Sequence, residues 1–312
     1  MKNVLLIPHI KIQNANALSS PFTVGFPAMT AWLGAAHALQ RKINEKFERR
    51  GESRVQFTGT GVISHSFKLQ AYKGPGDYEY SIIGTSNPLD KDGQRPSFIE
   101  EVRCNLEVSL IIEYEGVKKL DEDEFIDSLD SILSSHMKIA GGDILGFLKL
   151  KIIKDFELLR KFVMPGYALI ERRDLMLKAM EEGMDALDAI IDYLAIHHSC
   201  EKTGEGPEAS VTWHSSRKRT GSQDERGWIV PIATGFQGLS EPGPAKNQRD
   251  PETPHLFAEA IVTLGEFIMP YKNEINNLDK LLWRYSYDKE NCLYLCQQKD
   301  EDSMQTFSED EF

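Results

Sequence analysis

Arg103-Cys104-Asn105-Leu106-Glu107-Val108-Ser109-Leu110-Ile111-Ile112-Glu113-Tyr114 alternates with period two. Leu106, Val108, Leu110 and Ile112 fall on one side, and Arg103, Asn105, Glu107 and Ser109 on the other. Successive side chains of a strand point to opposite faces, so this pattern predicts a long strand with one buried and one polar face. Val55 to Leu69 repeats it, with Val55, Phe57, Ile63, Phe67 and Leu69 against Gln56, Thr58, Thr60, Ser64, Ser66 and Lys68. Two such strands imply an antiparallel sheet with helices on one face.

Upstream, Val4 to Gln13 is apolar at nearly every position, as a central strand is. A turn-type loop, Asn14 to Pro21, follows it, and a helix opens near Pro27, a residue suited to a first helical position. Its apolar stripe is Met29, Trp32, Leu33, Ala36, Leu39, Ile43 and Phe47. Downstream, Asp121 to His136 reads as a second amphipathic helix through Phe125, Leu129, Ile132 and Leu133, and Gly166 to Glu171 as a strand. The order strand, helix, strand, strand, helix, strand predicts an α+β fold with a ferredoxin-like (RNA-recognition-like) palm. Residues 1–140 form its first part. Residues 141–165 are an insertion hinged at Gly141-Gly142, and residues 166–298 hold the remaining palm strand, helices and a polar loop at 199–226. A Met-rich helix spans Met176 to Leu194. A strand at Trp228 to Ile232 is followed by one helix entered through Thr253-Pro254 and another around Leu278 to Trp283. Residues 299–312 are an acidic disordered tail.

The 312 residues, 41% hydrophobic, suffice for an ordinary core. No apolar run is long enough to span a bilayer, and Met1-Lys2-Asn3 leads into a strand-like run rather than an export signal, so a cytoplasmic protein is expected. Cys104, Cys200, Cys292 and Cys296 match no zinc spacing and are expected as reduced thiols. The net charge is −12, but it is concentrated. Glu113 to Asp130 carries eight acids against two lysines, and Asp300 to Phe312 six acids and no base. The rest is close to neutral, which leaves room for a locally basic surface shared with partners.

Walker A, G-x-S-x-G, H-E-x-x-H and strand-linked G-x-G-x-x-G signatures are absent, so no catalytic residue, metal ligand or cofactor is assigned. Thr58-Gly59-Thr60-Gly61 inside a strand pattern marks a bulge or a close backbone approach. His65 reads as a hydrogen-bonded core histidine, and His197-His198 as a surface-plus-core pair. Arg217-Lys218-Arg219 reads as a solvated charge run and the methionine stripe as core. Two segments keep two readings. Gln13 to Pro21 is either a turn with capping residues or a set of amides and hydroxyls that bind bases and phosphates. Gly141-Gly142 is either a hinge or a place where a nucleic-acid chain approaches closely. The polar strand faces lack paired aromatics, so any RNA contact is expected through loops rather than a stacking platform.

Several ordered blocks carry a resemblance. They are Ile12 to Pro21, Gly25-Phe26-Pro27, His37-Ala38-Leu39-Gln40-Arg41, Asn87 to Gly93, Glu100 to Leu110 and Ala140 to Leu145. Pro165 to Leu169, Gly227 to Ile232, Arg249 to Pro254 and Leu264-Gly265-Glu266-Phe267 complete the series. Together they resemble the Csy-two family, the Cas-five-type subunits of type I-F CRISPR surveillance complexes. The resemblance implies a palm with an inserted thumb and a non-catalytic protein that binds the 5′ handle of the guide RNA. It implies a heterodimer with the large Csy subunit, contact with the adjacent backbone subunit at the tail of the filament, and target DNA reached through the assembled complex. By motif, Gln13, Asn14, Asn16, Ser19, Ser20, Arg103, Gly141 and Gly142 are expected near the handle, with Gln237 and Arg249 as further contacts. Two alternatives stand beside it: a guide-RNA-processing endonuclease using His65 or His37 as base, and a protein-only scaffold.

Overall fold

The computed structural model describes the chain except residues 1–2, 49–53, 83–88, 90, 95–100, 119–120, 205–209, 218–226, 247, 249, 251, 273 and 300–312. Strand β1 (Asn3–Asn16) leads through β2 (Leu18–Ser20) and β3 (Thr23–Val24) to helix α1 (Met29–Glu48). Then come β4 (Gln56–Leu69), β5 (Ala71–Tyr72), β6 (Ser81–Ile82), β7 (Arg103–Glu115) and α2 (Glu122–His136). The middle holds β8 (Lys138–Ile139), β9 (Gly142–Gly146), β10 (Lys151–Ile153), α3 (Phe156–Phe162) and β11 (Tyr167–Glu171). Helices α4 (Arg173–Glu181) and α5 (Ala186–Leu194) follow, then a hairpin of β12 (His197–Thr203) and β13 (Ser210–Ser216). Four long strands close the chain: β14 (Trp228–Gly238), β15 (Ala258–Ile268), β16 (Trp283–Asp288) and β17 (Leu293–Gln298).

Eleven strands form one antiparallel sheet, ordered β11-β15-β14-β17-β16-β4-β7-β1-β9-β8, with β10 also on β1. β4 and β7 pair as the expected antiparallel strands, but the two-face reading fails in mid-strand. After the register shift between Phe57 and Gly59, Ile63 pairs Ser109 and joins the second of two cores, while Val55, Val62 and Leu110 pack in the first, and Ser109 and Glu113 are buried. Side chains of β1 alternate between two cores. Leu5, Ile7, Ile10 and Ile12 join Trp32, Leu39 and Ile43 of α1 and Phe125 and Leu129 of α2. Val4 and Leu6 join Leu159, Val163, Leu281 and Leu282 in the second. All seven residues of the α1 stripe are buried. At roughly 1.5–3 kcal/mol per buried apolar side chain, packing rather than intrinsic propensity holds this helix.

The structure overturns the expected fold class. A ferredoxin-like palm would place the strand at 167–171 beside the first strand. Instead β9 and β10 occupy that flank of β1, and β11 bonds β15 and β4. The expected helical C-terminal part is sheet: Thr253 lies in a turn closed by Asp250, and the following residues extend as β15. Leu278, Leu281 and Leu282 have helix-like spacing, but they sit in turns that cover the second core before β16. The Met176–Leu194 helix is broken at Gly183, which adopts a left-handed φ of +85°, and Asp185 caps α5 by accepting from Leu187 N at 2.8 Å. The stretch expected as a loop at 199–226 contains most of the β12–β13 hairpin, with Cys200 opposite Trp213. The acidic tail at 300–312 and Lys218-Arg219 lie outside the described residues.

Part of this sheet closes on itself. β4 bonds β11 at Ile63 and Ser64 and bonds β16 at Thr60, both on the edge away from β7. Because β11, β15, β14, β17 and β16 are already continuous, these six strands close into a ring. The Thr58–Gly61 stretch serves that closure: the ladder shifts register between Phe57 and Gly59, and a Cβ on Gly61 would lie 2.7 Å from the carbonyl of Leu281.

Candidate functional site

The C-terminal end of β1 is irregular because its ladder with β7 slips between Ile12 and Ala15. Asn14 absorbs the slip in a left-handed conformation, φ +58°, which asparagine tolerates better than most residues. Its amide N–H donates to Asn105 Oδ1 at 3.1 Å, and its own Oδ1 accepts from Gln70 Nε2 at 2.6 Å. Arg103 Nη1 donates to the Asn14 carbonyl at 3.3 Å, while the guanidinium also pairs with Glu101. A fan of amides with one guanidinium is thereby exposed at a strand end.

Beside it, Ala140 (φ +50°) and Gly141 (φ +76°) turn the chain from β8 into β9. The Ala140 carbonyl accepts from Asn16 N at 2.8 Å, and Gln13 pairs with Asp143. A Cβ on Gly142 would lie 2.7 Å from the Gln13 carbonyl and 2.8 Å from Ala15 N, both backbone atoms. Gly142→Ala is therefore expected to cost about 1–3 kcal/mol and to push β9 off the slipped end of β1. Hydrogen exchange that quickens at Gln13 to Asn16 but not at Val4 to Ile7 checks it.

Asn16 closes on itself locally, its side chain donating to the Leu18 carbonyl at 3.1 Å and accepting from Leu18 N at 3.0 Å. Ser19 and Ser20 each place Oγ 2.8 Å from Thr23 Oγ1 in the β2–β3 hairpin, whose tip exposes Phe22. Between this hairpin, the start of α1 and the β8–β9 turn lies a cleft of about 550 Å³ lined by Asn16, Ser19, Thr30, Lys138, Gly141 and Phe236. The first turn of α1 carries no acidic side chain, so its dipole favours negative charge here.

Gln13, Asn14, Asn16, Ser19, Arg103, Gly141 and Gly142 thus gather around one end of β1, with Ser20 buried within the hairpin. Gln237 lies apart from the fan on β14, donating to the Asn291 carbonyl at 2.7 Å, although its neighbour Phe236 lines the cleft. Arg249 lies outside the described residues. Gln70, Asn105 and Lys138 belong to the same surface and escaped the sequence reading. Only the pairing of Lys68 with Asn105 and Leu69 with Cys104 brings the end of one strand to the start of the other.

His65 is hydrogen-bonded as expected, with Nδ1 2.6 Å from the Pro165 carbonyl and Nε2 2.7 Å from Ser109 Oγ. Its ring stacks on His9 at 4.1 Å, a partner the sequence did not reveal. Burial lowers its pKa, and His9 pushes the same way against the Pro165 carbonyl and Glu107. His37 is exposed on α1. Burial also holds Cys104 at about 12, a thiol rather than a nucleophile. Among the described residues no cluster of three His, Cys, Asp or Glu could hold a metal, and no helix is long and apolar enough to cross a membrane.

A family model described as CRISPR-associated protein (Cas_Csy2) matches residues 5–296. The chain is 31% identical over 319 aligned positions to the CRISPR-associated protein Csy2 of Pseudomonas aeruginosa (strain UCBPP-PA14), covering 93% of this chain and 94% of that protein.

Proposed function

The chain belongs to the Cas_Csy2 family of CRISPR-associated proteins, and on that premise we propose that it is a non-catalytic, RNA-binding subunit of a type I-F surveillance complex. It holds the 5′ handle of the guide RNA, pairs with the large Csy subunit and caps the tail of the backbone filament, reaching target DNA through the assembly. The observation that carries this reading is the convergence of Asn14, Gln70, Arg103 and Asn105 at the slipped end of β1, beside the Gly141 turn. Amide side chains and left-handed backbone read bases and phosphates without a strongly basic surface, which suits a chain of net charge −12 whose partners share the RNA.

Arg103→Ala tests it in the reconstituted complex. Guide RNA retention is expected to fall about tenfold, and the slope of log affinity against log salt to flatten by about 0.7, the share of one phosphate contact on a single strand. Unchanged retention for both Arg103→Ala and Asn14→Ala, with subunit stoichiometry intact, would favour a protein-only scaffold.

A further inference from the structure

Phe26, Phe67, Tyr167, Trp228 and Phe267 arrive from five separate segments and line a pocket of about 290 Å³. Their rings touch in sequence. Phe26 meets Phe267 edge-on at 5.3 Å, Trp228 lies 5.3 Å from Phe267, and Tyr167 meets Trp228 edge-on at 5.7 Å. The inner ring is buried, but Trp228 is 50% exposed, Tyr167 41% and Phe67 39%. Three large aromatic faces are therefore open to solvent in a concave arrangement, where a folded chain ordinarily hides them.

The polar groups of the pocket define the occupant. No Asp, Glu, Lys or Arg lines it, which disfavours a phosphate or a charged side chain as the seated group. His65 forms part of the floor with both ring nitrogens engaged, and its lowered pKa keeps it neutral at pH 7. Ser64 and Ser66 flank His65 in the lining and bring two hydroxyls, each able to donate or accept. A flat, uncharged ring with a hydrogen-bonding edge satisfies both walls and rim. The volume lies at the small end of ligand sites, roughly 300–1,000 Å³, which suits one ring system rather than a whole nucleotide.

Position supplies the other half. β4 carries Ser64 to Phe67 into this pocket and ends at Leu69, next to Gln70 of the amide fan. Four residues at about 3.3 Å each put Ser66 roughly 13 Å from Gln70, within reach of one strand of RNA. Val24 of the lining lies in the hairpin that bears Ser19 and Ser20, and Gly25 and Phe26 follow directly on it. We infer that this pocket receives one unpaired nucleobase of the bound RNA, stacked on Trp228 with its polar edge toward Ser64 and Ser66, an inference that rests on the RNA-binding reading above. An unstacked base held on aromatic side chains is the usual way in which proteins read single-stranded RNA.

The test uses the reconstituted complex with guide RNAs carrying 2-aminopurine at one position of the 5′ segment at a time. One position is expected to be quenched on assembly, to brighten with Trp228→Leu and to stay quenched with Trp228→Phe, which keeps a stacking ring. An abasic residue at that position should weaken retention roughly five- to 150-fold in the native complex, the range of one lost base–aromatic stack, and change little with Trp228→Leu. Phe67→Ala, at a half-exposed ring, repeats the measurement independently of any folding defect at Trp228. If no position responds to either variant while Arg103→Ala still weakens RNA binding, the pocket inference fails and the handle reading stands. Loss of a protein subunit with RNA fully retained would identify the pocket as a seat for a partner side chain and overturn it. If Arg103→Ala also leaves RNA binding unchanged, both readings fall.

Discussion

Arg284→Ala should lower the unfolding free energy by about 3–5 kcal/mol, the cost of removing one partner from a buried ion pair. Glu113 lies in mid-β7 between Ile112 and Tyr114 and is 1% exposed. Arg284 Nη2 reaches its Oε2 at 3.1 Å and Asp279 Oδ1 at 2.7 Å, while Thr58 Oγ1 donates to the same Oε2 at 2.6 Å. Gly59 lies against the guanidinium, where a Cβ would stand 3.4 Å from Arg284 Cζ. The double variant Glu113→Gln with Arg284→Met removes both charges and keeps similar volume, so it should recover most of the loss. Denaturant midpoints read by circular dichroism separate the cases. Equal destabilisation of the single and double variants would mean that shape, not charge, is what the pair supplies.

Trp283→Ala should cost a similar 3–5 kcal/mol, the range for emptying a large buried aromatic site. Trp283 is fully buried at the point where the ring of strands closes. Its backbone pairs with Thr60 of β4, and its Nε1–H donates to the Leu169 carbonyl of β11 at 3.0 Å. One side chain thus ties the two strands that share the edge of β4. Gln298 reinforces the same joint: its Oε1 accepts from Glu171 N at 2.8 Å and its Nε2 donates to the Lys280 carbonyl at 2.8 Å. Trp283→Phe keeps a ring but loses the donor, for about 1–2 kcal/mol. Hydrogen exchange should quicken in β11 and β16 of Trp283→Ala while the β1–β7 ladder keeps its protection. Uniform acceleration across the sheet would show that the ring does not open as a unit.

What the sequence could say depended on how far apart the interacting residues are. α1 and α2 declare themselves because each buries one face at a period of 3.6, β4 and β7 because their ends alternate with a period of two, and β1 because a strand between two cores is apolar at nearly every position. The C-terminal third misleads for the same reason. Leu278, Leu281 and Leu282 have the spacing of a helix, but a turn laid over a core needs the same three apolar contacts. Thr253-Pro254 resembles a helix start because Thr253 does cap a local structure, the Asp250 turn. At the candidate site, loop chemistry points to Asn14 and Gly141 and family resemblance adds Arg103, whereas Gln70 and Asn105 need the strand register. The aromatic pocket was beyond reach altogether. The faces of single strands show no stacking platform, because these five rings lie on five segments.

The ring of strands also sets a timetable for the newborn chain. Thr60 finds its partner only at Trp283, more than two hundred residues later. At the usual 5–20 residues per second, a ribosome spends roughly 10–45 s between the two. Throughout that interval the far edge of β4 has no β16 beside it, whatever the state of the β1–β7 half. Contacts of such long separation are also the slow ones to form after release. Birth, more than maturity, is when this protein is exposed to mispairing, and the strand that begins at Trp283 ends that exposure.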